Sequence, residues 1–223
     1  MKPTIPFTLL RVCSTLLKAL ILKSQLNVGY TPSEKINSHP IYYQLKDIFM
    51  LRRRYVQLYV YSLEQDDPRK CTSAKLHRLK LVKNLKYASE IPRRAILLDP
   101  FTSDVLLPTD SEIARRFGIV AIDSSWKKSS ESMFRKYRGI HKRLPLLVPV
   151  NPVNYGHIGW LSSLEALAAA LFLVGFKAQS EKLLTVFNWA SNFLFLNNNQ
   201  FDSYGKAKDI DEIYELEKKF YNL

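Results

Sequence analysis

Short apolar segments alternate with helix-compatible segments along the middle of the chain, and this alternation restricts the fold more than any other feature. Four such segments, rich in β-branched, aliphatic or aromatic residues, are expected to be strands: residues 55–61, 95–98, 119–123 and 146–150. Strands that are connected through helices form parallel sheets whose two faces are both covered. The pattern therefore predicts an α/β fold built on a mostly parallel sheet.

Helix start and stop signals lie between these segments. Thr72 stands at the position of an N-cap before a helix-compatible stretch, and Thr109 with Glu112 has the spacing of a capping box. Gly118 predicts the end of that second helix. These signals place helices between the strands, as the crossover connections of a parallel sheet require.

The strand pattern stops after residue 160, and three helices are expected in the remainder. Their predicted ranges are residues 162–174, about 178–195 and about 207–221. The 223 residues, of which 47% are hydrophobic, are enough for one domain or two small ones. We therefore predict an α/β domain over residues 50–150, followed by an all-α domain over residues 151–223.

Residues 1–49 differ in character from the rest. Residues 7–22 form an apolar run that Arg11 and Lys18 interrupt, so the run falls short of the ~18 uninterrupted apolar residues of a membrane-spanning helix. A signal-peptide core, a short amphipathic helix, or an appended or misassigned segment would each fit this run. We favour the last interpretation, with the natural start at Met50, because a well-patterned strand follows Met50 directly.

The cysteines and histidines show no metal or disulfide pattern. Cys13 and Cys71 are the two cysteines, and the four histidines include no pair four residues apart. The sequence also has no G-x-G-x-x-G, Walker A, H-E-x-x-H or G-x-S-x-G motif. We therefore expect a reduced cytoplasmic protein with no metal, no disulfide framework and no membrane segment.

The chain is strongly basic, with a net charge of +13 and a sequence pI near 9.7. A solvated basic surface would explain this charge, and so would a polyanionic partner such as nucleic acid. A cluster of cations, interleaved with Tyr137 and His141, favours nucleic acid, because cations neutralise phosphates and aromatic rings stack on unpaired bases. The predicted RNA-binding cations are Arg135, Lys136, Arg138, Lys142 and Arg143.

Turn-forming and aromatic residues follow three of the predicted strands, after residues 98, 122 and 150. Ligands of open α/β sheets bind beyond the carboxyl ends of the strands. The third turn, NPVNYG, leads to a helix start at which Ser162 and Glu165 have capping-box spacing. Pro152 and Gly156 would fix the shape of this loop in advance. The sequence thus predicts a ligand cleft at this edge of the sheet.

Four residues near these strand ends suggest a ligand with both a carboxylate and a positive centre. Thr72 and Ser163 stand at predicted helix starts, where backbone N–H groups can receive a carboxylate, although capping alone would also explain them. Asp123 with Trp126 offers a carboxylate beside an aromatic wall, which suits a cation. An Asx turn and a core tryptophan would explain the same two residues.

Seven ordered segments resemble a known family: DPRKCTSAKL, ILLDPFTSDVLLPTDSEI, GIVAIDSSW, GIHKRLP, NPVNYG, LSSLEALAAALFLVGF and NWASNFLFLNN. They are similar to those of the small-subunit ribosomal RNA aminocarboxypropyltransferases, over about Met50 to Leu223. The resemblance implies a fold similar to SPOUT methyltransferases, with a trefoil knot. It also implies transfer of the 3-amino-3-carboxypropyl group of S-adenosylmethionine to N3 of an N1-methylated pseudouridine, with methylthioadenosine as by-product.

The resemblance also implies how individual residues hold the adenosine part of S-adenosylmethionine. The Ile122 carbonyl would accept the ribose hydroxyls, and the backbone from Leu144 to Leu146 would contact the adenine edge. The residues implied to pack the adenine ring are Leu98, Pro100, Trp126, Leu161 and Ala166.

The remaining implied roles concern the reacting end of the ligand. Thr72 would hold the carboxylate of the transferred chain, and Ser163 would place a second backbone N–H beside it. Trp126 would cover the sulfonium methyl. Asp123 would lie near the reacting carbon, and we prefer an orienting role for it, because a carboxylate with an ordinary pKa of about 3.9 is a poor base.

Three positions depart from the usual pattern of the family. Ser73 stands where a glycine is usual, Ser124 where a cysteine is usual, and Ser129 where a small apolar residue is expected. Ser129 is expected to make the surroundings of the methyl group more polar.

Two other functions remain open at this point: a SPOUT-type RNA methyltransferase with the same cofactor, and a non-catalytic RNA-binding protein of ribosome assembly. The expected partner in each case is small-subunit rRNA or a pre-ribosomal subunit. We expect the protein to act as a monomer.

Overall fold

The computed structural model describes residues 55–63 and 72–223. The predictions for residues 1–49, for a start at Met50 and for the two cysteines lie outside these residues. Among the described residues, no helix is both long and apolar enough to cross a bilayer.

Five parallel strands form one sheet in the described part of the chain. The order across the sheet is β2-β1-β4-β3-β5, so β4 lies at the centre. The prediction of a mostly parallel sheet is confirmed. The strands are β1 (Leu58–Ser62), β2 (Lys83–Leu85), β3 (Ile96–Leu98), β4 (Ile119–Asp123) and β5 (Ile140–Lys142).

Helices connect the strands and make up the regular structure after β5. Three short 3-10 turns accompany them, at Ala88–Glu90, Pro108–Asp110 and Trp126–Lys128. The α-helices of the described residues are α1 (Thr72–Arg78), α2 (Ser111–Phe117), α3 (Glu131–Phe134), α4 (Ser163–Leu173), α5 (Lys177–Leu184), α6 (Asn192–Leu196), α7 (Asn198–Tyr204) and α8 (Ile210–Tyr221).

Two predicted strands need correction. Residues 146–150 are not a strand, because their backbone pairs with no neighbouring strand. The fifth strand is instead Ile140–Lys142, which pairs with β3, and β2 at Lys83–Leu85 was not predicted. Both missed strands have three residues and contain polar side chains, so neither shows the apolar run that revealed the equally short β3.

Helix boundaries also differ from the predictions. Thr72 is the first residue of α1 rather than the residue before it. Thr109 lies inside a 3-10 turn, and α2 begins only at Ser111, because the Asp110 carboxylate accepts the Leu107 N–H at 2.9 Å and tightens the chain there.

The helices expected at about 178–195 and about 207–221 are wrong in extent. The first is divided into α5 and α6, separated by turns over residues 185–191, and α7 precedes a final helix that starts at Ile210. The side chain of Asp209 accepts the Glu212 N–H at 2.9 Å and so caps this last helix.

Gly118 sets the junction between α2 and β4, as predicted. Its φ is +88°, a value that favours glycine. A Cβ at this position would also collide with the Gln57 carbonyl oxygen. The glycine therefore lets β4 pack directly against the chain that enters β1.

Alternate residues of the central strands face opposite sides of the sheet. Ile96 and Ile119 join the main hydrophobic cluster, whereas Leu97 and Val120 join a smaller cluster on the other face. The main cluster also contains most of α4 together with residues of α5 to α8. The helices after residue 160 therefore share a hydrophobic core with the sheet.

Candidate functional site

A cleft of about 920 Å³ lies at the carboxyl ends of β3 and β4. This volume is near the upper end of the range for small-molecule sites, roughly 300–1,000 Å³. The start of α4 and the extended segment before it complete its walls. The residues predicted for the catalytic and cofactor-binding roles all line it: Thr72, Leu98, Pro100, Ile122, Asp123, Trp126, Leu144, Leu146, Leu161, Ser163 and Ala166.

Asp123 connects the starts of two helices. It is the last residue of β4, and its Oδ2 accepts a hydrogen bond from Ser73 Oγ in α1 at 2.5 Å. Its Oδ1 accepts a second one from Ser163 Oγ in α4 at 2.5 Å. Both carboxylate oxygens are therefore engaged as acceptors, and the two helix starts are held at a common point.

Trp126 is fixed by two contacts. Its Nε1–H donates to the Leu161 carbonyl at 3.0 Å, and its ring stacks on Trp160 with centroids 5.5 Å apart and an interplanar angle of 12°. Trp160 in turn stacks on His157 at 5.0 Å and 26°. The three rings form an aromatic stack that runs from the cleft to the exposed loop before α4.

All three tryptophans of the chain line this cleft, although the sequence assigned a role to Trp126 alone. Trp189 packs beside Phe187 with ring centroids 5.3 Å apart, and both line the cleft. Lys75 of α1 donates to the Val186 carbonyl at 2.6 Å and lies 4.0 Å over the Phe187 ring. These contacts hold the turn that carries Trp189 against α1, and no short-range signal could have predicted them.

The extended segment 144–150 is held by side chains of distant helices. The N–H of Leu146 donates to Glu217 at 2.8 Å, that of Val148 donates to Asn197 at 2.7 Å, and that of Val150 donates to Glu165 at 2.7 Å. On the acceptor side, the Leu146 carbonyl receives the hydroxyls of Tyr204 and Tyr221, and Asn197 also donates to the Val148 carbonyl. Most of the hydrogen bonds that a neighbouring strand would form are thus made by side chains.

Glu165 fixes both ends of the loop that joins this segment to α4. It is fully buried, and its carboxylate accepts the N–H groups of Val150, Asn151 and Ser162. It also receives the Asn151 side-chain amide and the Ser162 hydroxyl, each at 2.7 Å. The predicted capping box of Ser162 and Glu165 is formed, and within the loop Gly156 has a φ of +84°, as its role as a permissive position requires.

Two of the five predicted RNA-binding cations are engaged in ion pairs with little exposure. Lys142 lies 3.1 Å from Asp104 and 3.4 Å from Asp110. Arg143 forms two hydrogen bonds with Glu217, at 2.7 and 2.9 Å. Burial lowers the pKa of Arg143, but its contacts with Glu217 and Tyr214 together outweigh burial, so that the net pKa is raised. Both cations therefore stabilise the walls of the cleft.

The other three predicted cations, Arg135, Lys136 and Arg138, are exposed. The aromatic residues between the cations face inward, however. Tyr137 packs edge-on against Tyr61 at 5.5 Å, and burial raises the pKa of Tyr137. His141 hydrogen-bonds Asp99 at 2.7 Å and the Tyr137 carbonyl at 3.0 Å. Neither ring is presented for stacking on a base.

The three serines that depart from the family pattern all hydrogen-bond within the cleft wall. Ser73 donates to Asp123. The hydroxyls of Ser124 and Ser129 are 2.8 Å apart, and Ser129 also donates to the Ser125 carbonyl at 3.0 Å. Because these hydroxyls satisfy one another, Ser129 adds less polarity to the cleft than the sequence suggested. No group of three or more metal-binding side chains occurs among the described residues.

Residues 96–221 match the family model described as "Ribosome biogenesis protein, C-terminal". Residues 56–90 match a possible Fer4-like domain of RNase L inhibitor, but this stretch contains a single cysteine, Cys71. An iron–sulfur cluster of that type requires four thiolates, so these residues do not fit the cluster.

Curated relatives and a solved structure share most of the chain. The 16S rRNA aminocarboxypropyltransferase of Methanosarcina acetivorans is 40% identical over 170 residues, which is 75% of this chain and 95% of the relative. That of Methanocaldococcus jannaschii is 38% identical over 165 residues, 74% of this chain and 95% of the relative.

The solved structure is that of the SAM-dependent rRNA acp-transferase Tsr3 from Vulcanisaeta distributa. It has a TM-score of 0.65 and 32% identity, and the match covers 75% of this chain and 99% of that one. Sequence identity at this level over nearly the whole length of the relatives, together with a common fold, shows that the chain belongs to the small-subunit rRNA aminocarboxypropyltransferase family.

Proposed function

We propose that this protein transfers the 3-amino-3-carboxypropyl group of S-adenosylmethionine to N3 of an N1-methylated pseudouridine in small-subunit rRNA, releasing methylthioadenosine. The observation that carries this proposal is the composition of the cleft. It combines apolar walls, two helix starts and an indole ring in one cavity. Relatives that align over about three quarters of the chain are named for this activity.

The cleft residues fit the chemical groups of S-adenosylmethionine. Apolar side chains offer a site for the adenine ring, and the Ile122 carbonyl is placed to accept ribose hydroxyls. Thr72 and Ser163 stand at helix starts, where backbone N–H groups attract a carboxylate. The side chains assigned to adenine are Leu98, Pro100, Trp126, Leu161 and Ala166, with the backbone of Leu144 to Leu146 at the ring edge.

The role of Trp126 is to select which carbon is attacked. When bound, S-adenosylmethionine supplies a sulfonium with three electrophilic carbons, of which the methyl is the least hindered. The Trp126 indole is held by the Leu161 carbonyl and by stacking on Trp160. It blocks one direction from which the nucleophile could approach the sulfonium. Near-attack placement of the remaining reactive carbon can contribute several kcal/mol, about 7–11 at the upper end.

Asp123 acts as an orienting residue. Both of its oxygens accept hydroxyl hydrogen bonds from the starts of α1 and α4, so its contacts serve to position these two helix starts. We expect Asp123→Ala to reduce single-turnover transfer less than Trp126→Ala does, because the first loosens the helix starts and the second removes the wall. The opposite ranking would favour a general-base role, whose loss typically reduces rates by about 10²–10⁴-fold.

The substrate RNA is held by phosphate contacts from exposed cations. Arg135, Lys136 and Arg138 are the exposed members of the predicted cluster and can reach phosphates, although Arg135 also pairs with Glu131. Lys142 and Arg143 act through the ion pairs described above. The partner is small-subunit rRNA or a pre-ribosomal subunit.

Four finer features belong to the same proposal. They are a trefoil knot in a SPOUT-like fold, an all-α C-terminal half over residues 151–223, a monomeric state and a cytoplasmic location. The similarity to the family supports the first. The helices α4 to α8, which follow the last strand, support the second.

Labelled S-adenosylmethionine distinguishes the proposed transfer from its alternatives. The protein is incubated with small-subunit rRNA and cofactor labelled either in the methyl or in the carboxypropyl carbons. The proposal requires carboxypropyl label in the RNA and methylthioadenosine as by-product. Methyl label in the RNA with S-adenosylhomocysteine would identify a methyltransferase, and absence of cofactor binding by calorimetry would identify a non-catalytic RNA-binding protein.

A further inference from the structure

An exposed loop over residues 152–160, here named the rim loop, lies at the mouth of the cleft and presents apolar side chains to solvent. Val153 is 88% exposed, Tyr155 70%, Ile158 45% and Trp160 36%. These are four of the twelve large exposed hydrophobic residues in the described part of the chain. Single exposed apolar residues are ordinary, but such clustering marks an interaction surface.

The exposure of these side chains does not come from a loosely held backbone. The Asn154 N–H donates to the Asn151 side chain at 2.9 Å, the His157 N–H donates to the Asn154 carbonyl at 3.0 Å, and the Gly159 N–H donates to the Leu147 carbonyl at 2.8 Å. Asn151 is itself bonded to the buried Glu165. The rim loop is therefore pre-organised, which lowers the entropy lost on binding.

The aromatic stack leads from the rim loop into the cleft. His157 is exposed at its outer end, Trp160 lies in the middle, and Trp126 lines the cleft at the inner end. A planar base can continue such a stack, and base–aromatic stacking is tolerant of sequence.

The charges around the rim loop suit an RNA strand. Residues 151–164 contain no Asp or Glu. Lys127 and Lys128 follow Trp126 directly and are exposed, and within residues 55–63 and 72–223 neither forms an ion pair. Two cations beside the stack can contact phosphates while the rings contact bases.

We propose that the rim loop is a docking surface for unpaired bases of the substrate RNA, next to the base that enters the cleft. Tyr155 and His157 stack on these bases, and Lys127 and Lys128 contact the phosphates between them. This inference rests on the proposed function, because it assumes that the bound polyanion is RNA, and it adds where the single-stranded part of that RNA lies.

The test compares the binding of two RNA probes to the full chain. One is a fluorescent hairpin with an unpaired, pyrimidine-rich loop, and the other is a fully paired duplex with the same stem. Binding is measured by anisotropy at several salt concentrations for the double variant Tyr155→Ala/His157→Ala. Phe195→Ala is the matched control, because Phe195 is an aromatic residue that is 85% exposed and does not line the cleft.

The double variant is expected to bind the hairpin about tenfold or more weakly. Its salt dependence and its affinity for the duplex should remain those of the wild type. Lys127→Ala/Lys128→Ala is expected to change the salt dependence instead. The slope of log affinity against log salt concentration should become shallower by about 1 for each lost phosphate contact.

Three outcomes would overturn the proposal. One is a double variant that binds the hairpin as tightly as Phe195→Ala does, and another is an equal loss for hairpin and duplex. The third is a loss confined to protein-containing pre-ribosomal particles, which would identify the rim loop as a protein-binding surface. A wild-type protein that binds the hairpin but releases no methylthioadenosine would contradict the proposed function and leave the rim loop proposal intact.

Discussion

The end of β4 and the segment 144–150 face the same cleft, yet their backbones are held by different partners. β4 lies between β1 and β3 and forms hydrogen bonds with both. Segment 144–150 has no strand beside it, and its N–H groups are bonded to Glu165, Asn197 and Glu217. One wall is held by backbone pairing and the other by single side chains.

This difference predicts how each wall responds to mutation. A substitution in β4 by any residue other than proline leaves the ladder in place, because the hydrogen-bonding groups belong to the backbone. On the other wall, Glu165, Asn197 and Glu217 each bond two or more polar groups, so that removing one of these side chains leaves several groups without a partner. An unpaired buried polar group costs about 1–3 kcal/mol.

Glu165→Ala is expected to have the largest effect. It deprives three backbone N–H groups and two side-chain donors of their acceptor. We expect the free energy of unfolding to fall by about 3 kcal/mol or more, measured by urea denaturation. Glu181→Gln, an exposed acid on α5, is the control and should leave the midpoint unchanged. A small loss for Glu165→Ala would mean that segment 144–150 is held by its own conformation.

Glu217→Gln should come next. The amide retains one acceptor, but it weakens the paired bonds of Arg143 and the contact with the Leu146 N–H. We expect a stability loss of about 2 kcal/mol and about tenfold weaker binding of S-adenosylmethionine, measured by calorimetry, because the adenine-side wall shifts. Glu215→Gln, an exposed residue of the same helix, is the control. Unchanged cofactor affinity would show that this wall does not contribute to cofactor binding.

Trp160→Ala tests the β4 side of the cleft. The position of the Trp126 ring is set there by stacking on Trp160 and not by the hydrogen bonds of the sheet. Loss of an aromatic pair worth about 0.5–1.5 kcal/mol should weaken cofactor binding by only about two- to twelvefold. The ratio of S-adenosylhomocysteine to methylthioadenosine should rise, because Trp126 becomes mobile. Trp160→Phe should preserve the wild-type ratio. Equal ratios in all three proteins would show that the position of Trp126 does not depend on Trp160.

Tyr221→Phe should have the smallest effect, and it depends on pH. The Tyr221 hydroxyl donates to the Leu146 carbonyl at 2.9 Å, and burial raises its pKa above the ordinary value of 10.0. Folding thus favours the neutral phenol over the phenolate. The stabilisation that this group gives to the folded state is complete below about pH 10 and is lost as the pH rises toward the raised pKa.

We expect Tyr221→Phe to lose about 1 kcal/mol at neutral pH and to show a weaker decline of stability above about pH 10. Urea midpoints measured from neutral pH to about pH 11 provide the test. Burial raises the pKa of Tyr204 as well, so a partial decline should remain in the variant. A decline as steep as that of the wild type would assign the alkaline transition to other groups.

The predictions succeeded where local sequence and tertiary structure agree. The residues IVAID form β4, and Ser162 with Glu165 starts α4, because strand propensity and capping both act over a few neighbouring residues. They failed for residues 146–150, whose continuous apolar run is typical of a buried strand. Their hydrogen-bond partners lie as far as 75 residues away in the chain, and no short-range pattern shows whether a strand or a side chain will satisfy an N–H group.

The residues of the candidate site also fall into those that a local pattern indicated and those that only the tertiary contacts revealed. The sequence drew attention to Asp123 and Trp126 at a strand end and to Thr72 and Ser163 at helix starts, and the resemblance to a known family supplied their roles. The sequence did not indicate that Lys142 and Arg143 are paired with acids, or that Trp160 and Trp189 line the same cleft.

Strand β4, the helix start at Ser162 and the alternation that implies a parallel sheet were determined by the sequence alone, because each follows from a pattern among near neighbours. The cleft wall at 144–150, the aromatic stack and the ion pairs of the basic cluster were decided only by the tertiary structure. The physical reason is that a buried polar group must find a partner, and the identity of that partner depends on which distant residues the folded chain brings beside it.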